Sequence, residues 1–87
     1  MKKIIETQGE GYERLLGEQV LVFCMNYIYT GKLVGVSDQN LLLENTHIVY
    51  ETGAFDVKTF SDAQKLPFEI LIETNSIESI GKTDKQI

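Results

Sequence analysis

Residues 15–44 read LLGEQVLVFCMNYIYTGKLVGVSDQNLLLE, and this stretch decides the fold. Two runs of β-branched, aromatic and aliphatic residues, 20–25 and 27–36, are separated by one polar residue, Asn26. A third run, 41–43, follows the polar patch Ser37-Asp38-Gln39-Asn40. Apolar runs of this composition with turn residues between them predict an antiparallel meander. In the first strand, expected over 19–25, Val20, Val22 and Cys24 share one face and Leu21, Phe23 and Met25 the other. Both faces are apolar, so both are expected to be covered. The second strand, expected over 27–37, contains Gly31 and Gly35. Glycine permits kinks and close backbone approach, so this strand is expected to bend sharply and turn the corner of a small barrel.

Outward from this meander the pattern weakens. Residues 1–9 are expected to form an extended arm. A short helix is expected over 10–16, with Tyr12, Leu15 and Leu16 on its apolar side and Gly17 closing it. Downstream, a third strand is expected over 41–51. Residues 52–67, TGAFDVKTFSDAQKLP, then break the β pattern at Gly53, Asp56, Ser61-Asp62 and Pro67. They are expected to form a long connection, either with a turn of helix or prolonging the hairpin through Phe55, Val57 and Phe60. Connections of this length in a compact domain are often functional or interface-forming. A fourth strand over 68–74 and a fifth over 77–80 meet at Asn75-Ser76, and the polar tail 82–87 is expected to fray. The class is all-β: a short N-terminal helix followed by a strongly bent, five-stranded antiparallel barrel in one domain spanning 1–87.

The totals set limits on function. A chain of 87 residues buries only about 60–65% of its unfolded surface, and 43% hydrophobic residues exceed what five strands readily hide, so self-association is expected. The net charge is −5, and only Lys2 and Lys3 are adjacent among the cations. A broad basic face that would replace phosphate counterions is therefore excluded, and the acidic balance reads first as solubility. Cys24 is the single cysteine; it reads as a small buried hydrophobe, and a chain without a disulfide framework fits a reducing compartment. No apolar run approaches a signal-peptide core or a membrane span, so a soluble, cytoplasmic protein with no membrane partner is expected.

Chemistry-bearing residues are sparse. His47 is the only histidine, and no His, Cys, Asp or Glu cluster has metal-ligand spacing. Ser37-Asp38 and Ser61-Asp62 read as turn pairs, and Gly9-Glu10-Gly11 is too short for a phosphate loop. No enzyme activity, cofactor or metal is expected. Tyr12, Tyr27, Tyr29 and Tyr50 are of a type that stacks on bases; the other reading is core or interface packing, and for Tyr29 it is the stronger one. Asn40 and Asn75 read either as turn formers or as hydrogen-bonding partners for a base edge.

The order of elements, and the residues that carry it over roughly 12–81, resemble the Sm/Sm-like family. The first motif is similar at Leu15-Leu16-Gly17-Glu18-Gln19-Val20-Leu21-Val22, then at Tyr29, Gly31 and Leu33, then at Asp38-Gln39-Asn40-Leu41-Leu42-Leu43. Counting from Gly31, either Ser37 or Asp38 falls at the family's Asp. The second motif is similar at Ile72-Glu73-Thr74-Asn75-Ser76-Ile77-Glu78-Ser79-Ile80. The resemblance implies a homo-oligomeric ring of roughly five to seven subunits, joined through the edge strands over 68–74 and 77–80. It also implies single-stranded RNA as a partner at the pore, bound through Asp38, Gln39, Asn40, Asn75 and Ser76. Two departures mark a divergent member: Glu73 stands where the family has Arg, and Thr74 where it has Gly. A carboxylate cannot donate to a base or a phosphate, and it repels the latter. A ring that serves as a protein-interaction scaffold, with RNA binding lost, is the alternative.

Overall fold

The computed structural model describes residues 11–86; the arm expected over 1–9 lies outside them. Six antiparallel strands follow a single 3-10 turn of helix, Gly11–Leu15. Strand β1 (Gln19–Cys24) pairs with β2 (Ile28–Val36) from Gln19↔Lys32 to Phe23↔Ile28. Strand β3 (Asn40–Glu51) runs back along β2 and is the longest element. The expected bend is there, and it has two causes on facing strands. The register jumps from Thr30↔His47 to Lys32↔Glu44, which leaves Asn45 and Thr46 opposite Gly31 alone. Asn45 takes a positive φ of 50°, and a Cβ at Gly31 would lie 2.8 Å from the Glu44 carbonyl oxygen. Only glycine fits that approach, and asparagine is among the few side-chain residues that tolerate the left-handed region.

The second edge of β3 is divided between two partners. Strand β4 (Asp62–Lys65) takes the His47–Glu51 half, and β5 (Ile70–Glu73) takes Asn40–Leu43. Strand β6 (Ile77–Lys82) pairs with the far edge of β1, so the main path runs β4-β3-β2-β1-β6. A 3-10 turn, Thr74–Ser76, links β5 to β6. These two strands are consecutive but do not pair with each other, and among the described residues each uses only one of its edges.

The alternation read in β1 places one apolar set on each side of the sheet. The inner cluster holds Val20, Val22, Leu33, Leu41, Leu43 and Ile72, joined by the partly buried Cys24. The outer cluster holds Leu21, Val49 and Phe60, with Phe23 packed against it. Tyr12 and Leu15 of the helix lie on the inner cluster, but Leu16, expected beside them, is exposed. A helix this short presents too narrow a stripe to bury three side chains. Two buried hydroxyls are satisfied: Thr30 donates to the Val20 carbonyl at 2.8 Å and Thr46 to the Leu43 carbonyl at 3.1 Å. Among the described residues, no helix is long and apolar enough to cross a membrane.

Two segments differ from the sequence reading. The five expected strands are present, and the connection prolongs the hairpin, one of its two expected forms, but through a sixth strand, β4, rather than through Phe55, Val57 and Phe60. The segment Asp-Ala-Gln-Lys has low β propensity, and the exposed edge of β3 imposes the conformation. The tail does not fray as far as Gln86. The Thr83 N–H donates to the Gln19 carbonyl at 2.9 Å and the Phe60 N–H to the Gln86 carbonyl at 2.9 Å. Phe60 belongs to the connection, so tail and connection together close the outer cluster.

Candidate functional site

Two turns carry the residues singled out in the sequence, and the fold brings the turns together. The first, residues 37–40, reverses the chain between β2 and β3. Its organiser is Ser37. The Ser37 hydroxyl accepts from the Asn40 N–H at 3.1 Å and the Gln39 N–H at 3.3 Å, and lies 3.1 Å from the Asn40 Oδ1. A hydroxyl has one proton and two lone pairs, so it can hold both amides and still donate once. The Ser37 N–H donates to the Asn40 carbonyl at 2.9 Å, which closes the turn. Of the two candidates for the Asp position, Ser37 makes these contacts, and the Asp38 side chain stands exposed.

The second turn is Thr74–Ser76, and Thr74 stitches it to the first. Its N–H donates to the Gln39 carbonyl at 2.9 Å, and its hydroxyl lies 3.2 Å from that oxygen and 3.3 Å from the Asp38 carbonyl. Asn40 faces Glu73 directly across the β3–β5 ladder. Asp38, Gln39, Asn40, Glu73 and Asn75 thus form one lip at the β5 end of the barrel. Asp38, Gln39, Glu73 and Asn75 are exposed on it, and Asn40 is half-buried. Sequence reading placed Thr74 at a glycine position but missed its bridging role; its signal was a hydroxyl where the resembled motif has no side chain.

Ser76 leaves this lip. Its hydroxyl donates to the Glu73 carbonyl at 2.8 Å, and its carbonyl accepts from the Met25 N–H at 3.1 Å. It lines a small groove of about 200 Å³ with Cys24, Met25, Asn26, Tyr27 and Tyr29. The rings of Tyr27 and Tyr29 lie 6.2 Å apart and are tilted by 50°. Tyr29 packs on the inner cluster and Tyr27 is exposed, so only Tyr27 offers a free face. Burial pushes the Cys24 thiol above its ordinary pKa, against a lowering hydrogen bond with Ser76. A thiol shifted that way is a poor nucleophile at neutral pH.

The electrostatics of the lip are one-sided. Its two ionisable groups are the carboxylates of Asp38 and Glu73, and residues 37–40 and 73–78 include no lysine or arginine. Among the described residues, the two turns offer amide donors and acceptors but no cation of their own for a phosphate. His47 lies elsewhere, on the β3 ladder between Thr30 and Lys65. No group of three His, Cys, Asp or Glu among the described residues could hold a metal ion.

Neither protein-family models nor curated proteins yield a match to this chain. Solved structures do. A heptameric archaeal Sm protein matches at 19% identity and a TM-score of 0.64, over 82% of this chain and 93% of its own. The Pyrococcus abyssii Sm protein, solved in complex with a uridine heptamer, matches at 20% identity and 0.61, over 82% and 90%. A chain of the NatC complex bound to CoA matches at 21% identity and 0.63, over 91% of each chain. At these identities the likeness is one of architecture: the chain has an all-β, Sm-like fold.

Proposed function

We propose that this chain is the repeating subunit of a homo-oligomeric ring, and that its role is assembly and protein interaction rather than catalysis. One observation carries the reading: among the described residues, β5 and β6 each keep a free edge and do not pair with each other. Unpaired strand edges recruit another chain, and a head-to-tail contact between two different edges closes into a ring when the rotation divides a full turn. On and beside β5, Leu71 is 64% exposed and Phe68 56%, apolar surface that a neighbouring copy would cover. The archaeal Sm protein of the same fold is heptameric, and the NatC match places such a fold inside a protein complex. Size-exclusion chromatography with light scattering is expected to give a single multiple of the subunit mass, and Leu71→Lys to reduce it. A monomer at tens of micromolar would overturn the reading.

Single-stranded RNA at the lip is the second reading. It is favoured by the convergence of Gln39, Asn40 and Asn75, and by the uridine heptamer in the Pyrococcus abyssii complex. Contacts from these residues would be to base edges, because the carboxylates of Asp38 and Glu73 oppose phosphate. The salt dependence of binding would then be shallow. Anisotropy titrations with oligo-U and oligo-A across a salt series measure this, and Glu73→Arg is expected to raise affinity. No binding at micromolar protein, in wild type and variant alike, leaves the scaffold reading alone.

A further inference from the structure

Lys85 is the most deeply buried charged residue described, only 3% exposed. None of the ion pairs among the described residues includes it. Its ammonium instead donates to three backbone carbonyls, those of Ala54 at 2.9 Å, Thr59 at 2.9 Å, and Val57. The Phe60 ring stands on a further side, its centroid 5.5 Å from Nζ. An ammonium has three donors, so the three carbonyls saturate it, and the ring face supplies favourable electrostatics where a carboxylate would otherwise be needed. Burying an unpaired charge is strongly unfavourable, so a cage this complete implies that the position is specified.

The segment around Lys85 lies on residues 54–60 like a docked peptide. Gln86 and Thr59 form a parallel bridge. The Gln86 N–H donates to the Lys58 carbonyl at 2.6 Å, and the Gln86 carbonyl accepts from Phe60. Gln19 Nε2 holds the Lys85 carbonyl at 2.9 Å, and Asp84 pairs with Lys58 at 2.6 Å. The same Ala54 carbonyl that receives the ammonium also closes a turn with the Val57 N–H at 3.1 Å. The carbonyls of this turn point inward to Lys85, while Phe55 and Val57 stand 66% and 50% exposed.

We infer that residues 54–60 form a receptor for a primary ammonium, which Lys85 fills in cis. Its occupancy is a latch that decides whether the turn presenting Phe55 and Val57 is held in one conformation. The inference does not depend on ring formation. Backbone carbonyls converging on one point repel each other unless a cation sits between them, so emptying the cage releases the turn and the tail together. The barrel strands, whose inner cluster draws on neither the turn nor the tail, stay folded.

The wild-type chain gives the first test. In a ¹⁵N-resolved NMR experiment, the Lys85 NH₃⁺ signal is expected to exchange slowly with water and to couple to the carbonyls of residues 54, 57 and 59. Rapid exchange like that of surface lysines would overturn the proposal. Lys85→Met keeps the aliphatic stem and removes the donors. It is expected to speed amide exchange at Val57, Phe60 and Gln86 by roughly 10- to 100-fold, the effect of losing charge-assisted hydrogen bonds, with β1–β3 still protected. Unchanged exchange at those amides would overturn the latch. In Lys85→Ala, n-butylammonium is expected to restore protection at the three amides and n-butanol is not. Failure of the amine, with the barrel folded, would overturn the receptor.

Discussion

The two faces of the β1–β2–β3 sheet are both covered, by different means. The buried members of the inner cluster all come from strands, with Tyr12 and Leu15 of the helix packed against them, and Val20, Val22, Leu33, Leu41 and Leu43 reach 0% exposure. The outer cluster is smaller, and its largest member, Phe60, is delivered by a segment without regular structure. Alternation along a strand can build the first kind of core. The second needs something to fix the covering segment, and here a buried cation does it. The contrast teaches that a small barrel can recruit a loop as a layer when the loop's own polar backbone has a partner.

The comparison breaks most visibly on the inner side. Leu41→Ala removes a fully buried side chain and is expected to lower stability by about 3–5 kcal/mol, measured by urea denaturation. Phe60→Ala is expected to lower it by less, about 3 kcal/mol, because the outer cluster is small and its cover can collapse. Hydrogen exchange sharpens this pair: loss at Leu41 lowers protection everywhere, and loss at Phe60 chiefly in 54–60 and 83–86. Gly31→Ala is expected to destabilise by about 1–3 kcal/mol, since the added methyl meets a backbone oxygen rather than a yielding side chain. A null result there would mean that the bend relaxes freely.

The smallest effect belongs to Asp84. The Lys58 ammonium holds its carboxyl below the usual range, by hydrogen bond and then by charge. A folded-state value below the unfolded one contributes stability above the unfolded pKa, about 3.9, and loses it as pH falls through the folded value. Amide exchange of the tail, corrected for intrinsic rates, should therefore loosen only in acid. Asp84→Asn should flatten that dependence with little change at neutral pH, because both partners are exposed.

The barrel was legible because apolar periodicity and glycine placement are local signals. Val20, Val22 and Leu21, Phe23 separate onto the faces that their spacing assigns. The outer layer was illegible for the opposite reason. A polar lysine in a polar tail carries no hydropathy signal of burial, and β4 takes its shape from β3. At the lip, the motif resemblance singles out Asp38, Gln39, Asn40 and Asn75, and the fold sets the two turns that carry them side by side. The resemblance did not foretell that Ser76 turns toward Cys24, or that Ser37 and Thr74 hold the two turns in place.

One strand edge shared by β4 and β5 has a consequence for how the gene can change length. Extra residues spliced into 54–58 would spoil the latch and leave the placement of β5 alone. A single residue added within 66–69 has only the short run between the two partners of β3 to absorb it, and where it does not bulge outward it slides β5 by one position. Ile70 and Ile72 would then turn to water and Leu71 inward, so tolerance for insertions should end abruptly at Leu66.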